Sequence, residues 1–192
     1  LPRGASPWPE QTAAETDAEI RVARVRHSGH WNPEPLAWRR MAIVAARDYA
    51  TAVRTVEVAP ADLDPTEHPV AHLTGTGDVP LSDEETGALR NYLARGGTLI
   101  VDAAGGSEAF ARTFEQQIGR LVPNGWPQRL AQGHPLYRDG PVTVEDVTYR
   151  RDYAAALGPG RRRPRLTGVE DAGRRLAILF SREDLTAGLA GV

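Results

Sequence analysis

The stretch Gly96-Gly97-Thr98-Leu99-Ile100-Val101-Asp102 constrains this chain more than any other part of it. Paired glycines end a helix by supplying the left-handed conformation its last turn needs. A run of β-branched and apolar residues without polar alternation then marks a strand buried on both faces, as in a parallel sheet. Parallel neighbours need crossover connections that are usually helical, and the flanking residues supply them. Ser82-Asp83-Glu84-Glu85 reads as a capping box opening a helix through Leu89, Tyr92 and Leu93. Downstream, Ser107 leads into a helix carrying Phe110, Phe114 and Ile118 on one stripe.

The same plan extends in both directions. Strands are expected at Ile20–Val25, Val53–Val58, Val70–Thr74, Val142–Val147, Arg165–Val169 and Leu176–Phe180. Asn32-Pro33 followed by Glu34 predicts the N-terminus of a helix reaching about Ala50. Alternation of strand and helix predicts an α/β fold, a three-layer α/β/α sandwich on a mostly parallel sheet. Residues 1–19, with three prolines and no apolar period, read as a flexible tail or linker, and residues 20–192 as a single domain. With no initiator methionine and no signal-like apolar stretch, the chain reads as an excised domain or processed product.

Composition narrows the chemistry. The 192 residues include no cysteine, and all 23 cationic side chains are arginine. Thiol nucleophiles, cysteine-ligated metals, Schiff-base lysines and a P-loop lysine are therefore excluded. The missing lysine reads as a coding bias. A formal net charge of −2 provides no field to attract nucleic acid. The basic string Arg161-Arg162-Arg163-Pro164-Arg165 lacks interleaved aromatics for base stacking, so no nucleic-acid partner is expected. No apolar run approaches the ~20 residues that span a bilayer.

In open parallel sheets, ligands bind at the carboxyl ends of strands where strand order reverses. Four polar loops are expected on that edge: His27–Asn32, Thr74–Asp78, Asp102–Ser107 and Ser181–Asp184. The candidate ligand-binding residues are His27, His30, Trp31, Thr74, Asp78, Asp102 and Ser107. His27, His30, Asp78 and Asp102 offer imidazoles and carboxylates suited to metal binding or to acid and base work, while hydrogen-bonded loop histidines and capping carboxylates account for the same residues. Thr74-Gly75-Thr76-Gly77-Asp78 suits an anion cradle or a tight turn, and it lacks the third glycine of a dinucleotide fingerprint. Ser107 has no Gly-x-Ser-x-Gly frame around it. His134-Pro135-Leu136-Tyr137 reads as a turn with a locally bonded histidine. No confident metal site and no cofactor emerge.

Several strings in series resemble the bacterial family called domain of unknown function 4159. They are Arg26-His27-Ser28-Gly29-His30-Trp31-Asn32-Pro33-Glu34-Pro35, Leu73-Thr74-Gly75, Leu81-Ser82-Asp83-Glu84-Glu85, Leu89-Arg90-Asn91-Tyr92-Leu93, the Gly96–Asp102 string, His134-Pro135-Leu136-Tyr137 and Ser181-Arg182-Glu183-Asp184-Leu185. The resemblance implies a flavodoxin-like or class I glutamine-amidotransferase-like scaffold, membership in larger envelope-associated proteins, and a cell-envelope or periplasmic setting. It also implies one more helix and strand beyond Val192. Without cysteine, the thiol chemistry of amidotransferases is excluded. The expected function is a non-catalytic binding or protein-interaction module for a small ligand or protein segment. The alternative is a hydrolase or metal-assisted enzyme using His27, His30, Asp78 and Asp102.

Overall fold

The computed structural model describes residues 8–10, 15–78, 80–140, 143, 144, 147 and 163–190. Val142, Glu145 and Asp146 of the strand expected at Val142–Val147, Arg161 and Arg162 of the basic string, and residues 1–7 and 11–14 of the 1–19 segment lie outside the described residues. A seven-stranded sheet forms from β1 (Ala18–Val25), β2 (Thr51–Val58), β3 (Val70–Gly75), β4 (Thr98–Ala103), β5 (Pro127–Arg129), β6 (Thr167–Glu170) and β7 (Leu176–Ser181). Its order is β2-β1-β3-β4-β7-β6-β5. The first five strands in that order are parallel, while β6 and β5 add an antiparallel edge.

Among the described residues four helices cover the sheet: α1 (Ala37–Tyr49), α2 (Asp83–Ala94), α3 (Glu108–Leu121) and α4 (Leu185–Ala190). The chain leaves β1 in one direction along the sheet and β3 in the other, so right-handed crossovers place α1 and α2 on opposite faces. α1 packs with α4 on one face, and α2 with α3 on the other. The result is the three-layer α/β arrangement that the strand-helix alternation predicts. Strand alternation divides the buried residues accordingly. Ala23, Val25, Leu73, Leu99, Val101, Ile178 and Phe180 join Leu89, Tyr92, Phe110, Phe114 and Ile118 in the apolar core under α2 and α3.

Local chemistry explains the boundaries. The Ser82 hydroxyl accepts from the Glu85 amide at 3.1 Å while the Glu85 carboxylate accepts from the Ser82 amide at 2.8 Å, completing the capping box. At the other end of α2, Gly97 runs so close to Tyr92 that any Cβ would enter the phenol ring. α1 corrects one expectation: it opens at Ala37 and not at Asn32-Pro33. Pro35 disfavours helical geometry at Glu34, and the Asn32 carboxamide is engaged by the Arg24 guanidinium. β1 starts two residues earlier than expected, at Ala18.

Candidate functional site

Because β1, β3, β4 and β7 run parallel, the four expected polar loops leave the sheet on the same edge. Side chains stitch them together there. Glu85 extends its capping role by accepting from the Ser28 amide at 2.7 Å and the Ser28 hydroxyl at 3.2 Å, which anchors the loop after β1. His30 Nδ1 lies 3.0 Å from Thr76 Oγ1. The Ser107 hydroxyl donates to the Thr76 carbonyl at 2.6 Å, and the Gly105 amide donates to Asp184 at 2.6 Å.

Strand order reverses between β1 and β3, and the protein's own side chains fill that crevice. His27 is buried there against Phe110. Its Nδ1 accepts from the Gly29 amide at 3.0 Å, so the ring proton sits on Nε2 and is donated to the Thr74 carbonyl at 2.8 Å. Beside it only about 10 Å³ of space remains. Gly75 makes the close packing possible, because a Cβ at that position would stand 2.5 Å from the Phe110 ring.

The other candidate residues take separate places. His30 is exposed, and Trp31 lies under the Arg24 guanidinium at 5.6 Å. Thr74 is buried and donates its hydroxyl to the Asp102 carbonyl at 3.0 Å. Asp78 turns toward α3 and accepts from the Thr113 hydroxyl. Ser107 caps α3 by accepting from the Phe110 amide at 3.3 Å. Asp102 is wholly buried on the face covered by α1 and α4, whereas His27 packs under α3, so the sheet separates them. Among the described residues no three His, Asp or Glu side chains are grouped closely enough to hold a metal ion.

Around Asp102 lies a polar arrangement that the sequence reading missed. His72 Nε2 stands 2.9 Å from Asp102 Oδ1, and Trp38 Nε1 donates to His72 Nδ1 at 3.1 Å. Asp102 Oδ2 accepts the amides of Leu185 at 2.8 Å and Thr186 at 3.0 Å. Burial alone would raise the Asp102 carboxyl, but the hydrogen bonds from His72 and the Thr186 amide outweigh it and hold the group below the ordinary carboxylate range. A signal for His72 was present: two residues before Thr74 on one strand, it shares that residue's face by the period-two rule.

Next to the loops after β4 and β7, on the α1 and α4 face, opens a cleft of about 670 Å³. Leu136, Tyr137, Leu166, Leu179 and Leu185 give it an apolar lining, and Gly105, Gly106, Arg165, Glu183 and Asp184 supply its polar side. Arg165 and Glu183 pair across 3.4 Å. Asp184 is held by the Thr186 hydroxyl at 2.7 Å and the Ala187 amide at 2.6 Å, which fixes the start of α4.

These features define a three-layer α/β domain with a mostly parallel sheet and an apolar cleft beside its carboxyl-edge loops. The chain belongs to the family described as domain of unknown function (DUF4159), whose sequence model matches residues 21–191. No curated protein matches it. Among solved structures it is similar to the exo-beta-1,4-mannosidase Op5Man5 from Opitutaceae bacterium strain TAV5, at 17% identity and a TM-score of 0.40, over 93% of this chain and 33% of that one. The chain thus spans about a third of that enzyme's length. No helix among the described residues is long and apolar enough to cross a membrane.

Proposed function

We propose that this domain, comprising residues 20–192 on a flavodoxin-like or class I glutamine-amidotransferase-like scaffold, is a non-catalytic binding module. It takes an amphipathic small ligand in the cleft beside β7 and α4. The parallel strand order β2-β1-β3-β4-β7 supports the scaffold, since it follows the 2-1-3-4-5 pattern of flavodoxin-like sheets. The observation that carries the function is the cleft itself. Its volume of about 670 Å³ suits a small molecule, and its apolar lining meets a polar side built from two carboxyl-edge loops.

The hydrolase alternative has weaker support. Both ring nitrogens of His27 and both carboxylate oxygens of Asp102 are occupied by groups of the protein itself. Neither is poised to exchange a proton with a substrate.

Gly188 supplies the test. It lines the cleft, and a Cβ there meets nothing within 4 Å. Gly188→Phe therefore adds a ring to the cleft wall without a clash at its Cβ. Titration with decanoate and with amphipathic peptides, followed by backbone NMR, should shift Leu179 and Leu185 saturably for the small amphiphile. The variant should bind about tenfold more weakly or worse, because overfilling a fixed space costs ~1–3 kcal/mol. Preferential binding of the peptides would replace the small ligand with a protein segment. No binding by either probe, together with ester or peptide turnover that His30→Ala abolishes, would return the hydrolase.

A further inference from the structure

Asp102, at the end of β4, receives hydrogen bonds from two directions. Oδ1 faces His72 Nε2, and Oδ2 faces the Leu185 and Thr186 amides that open α4. The side chains are withdrawn from water, with relative exposures of 0% for Asp102, 4% for His72 and 2% for Thr186. An indole nitrogen can only donate, so Trp38 Nε1 makes His72 Nδ1 an acceptor and places the ring proton on Nε2, aimed at the carboxylate. Proton donation therefore runs one way, from α1 through β3 to β4. Arg40, also on α1, donates to the Leu189 carbonyl at 3.2 Å, so the same helix reaches the far end of α4 as well.

α4 contributes Leu185, Ala187 and Gly188 to the cleft. We propose that Trp38, His72 and Asp102 form a directional hydrogen-bond relay that positions α4 as a wall of the cleft. Its consequence for ligand binding rests on the binding reading above, but the relay is testable without any ligand. These are positioning residues: each acts on the cleft through the next, and none of them lines it.

The directionality gives the test its form. In Asp102→Asn, the tautomer that Trp38 imposes claims the single carboxamide oxygen for His72 Nε2–H. The carboxamide NH₂ is then turned against the Leu185 and Thr186 amides, donor against donor. Exchange of those two amides, read by NMR on the full chain, should accelerate about tenfold or more, as expected for losing hydrogen bonds to a charged acceptor. Trp38→Phe removes the constraint on the ring. In the double variant His72 can move its proton to Nδ1, accept from the introduced carboxamide NH₂ through Nε2, and return the carboxamide oxygen to α4.

The double variant should therefore protect Leu185 and Thr186 better than Asp102→Asn alone, and ring nitrogen shifts should report the changed tautomer. If Asp102→Asn alone does not fold, a folded double variant is the same result. A double variant no better than Asp102→Asn, as expected if Trp38 contributes packing only, overturns the relay. Loss of decanoate binding bears on the cleft reading and leaves this amide readout untouched.

Discussion

At the scale of single residues, acid sensitivity follows from the way Asp102 is held. Its folded-state carboxyl lies below the ordinary range, so folding favours the ionised form. That contribution is complete above the unfolded value of about 4 and is lost as pH falls through the lower folded value. Urea unfolding between pH 7 and pH 3 should show stability declining on the acid side, with a shallower decline in Asp102→Asn. Equal slopes for the two proteins would mean that the group titrates alike in both states. His27 differs in kind: it accepts from the Gly29 amide and donates to the Thr74 carbonyl, both uncharged backbone groups, so it closes a crevice without holding a buried charge.

At the scale of elements, Arg175 acts as a staple. It donates to the Leu93 carbonyl at 2.9 Å, the Gly97 carbonyl at 2.9 Å and the Thr98 hydroxyl at 3.3 Å, and it pairs with Asp171 at 3.0 Å. One guanidinium thus satisfies the end of α2, the approach to β4 and the turn between β6 and β7. Arg175→Met keeps most of the stem and removes the donors, so it should lower stability by about 2 kcal/mol. A loss below ~0.5 kcal/mol in chemical denaturation would show that water replaces the staple without penalty.

How far each element could be read from sequence follows from the range of the interactions that define it. The capping box at Ser82 and the strand Thr98–Val101 are set by neighbours within a few residues, and both were legible. β5 is three residues, Pro127–Arg129, without apolar alternation, and it exists because β6 pairs with it from 38 or more residues away. α4 has six residues, too few to display a helical period, and its start is fixed by Asp102 and Asp184. The site divides the same way. The four loops were legible from strand ends, and the alternation along β3 put His72 on the face of Thr74, but its partnership with Asp102, 30 residues downstream, is set by the pairing of β3 with β4.

At the scale of the whole molecule, protection should decrease from β4 outward. β4 pairs on both sides, with β3 and β7, and Leu99 and Val101 are fully buried. Its amides should open only with global unfolding, whereas the short β5 and β6 edge should open locally. Native-state hydrogen exchange should therefore find Leu99–Val101 slowest. Slower exchange at Gln128 or Gly168 would mean that the antiparallel edge is the more stable unit.

The position of β7 in the sheet has a consequence for synthesis. The strand beside β4, at the middle of the molecule, is made of residues 176–181, and the amides that complete the Asp102 carboxylate come 83 and 84 residues after it. During translation the first four strands can pair while one side of β4 stays open and a charged side chain waits beside it without its final partners. Folding closes from the centre only when this late segment leaves the ribosome, so a stalled or clipped product presents β4 as a bare apolar edge to whatever chaperone or neighbouring chain is at hand.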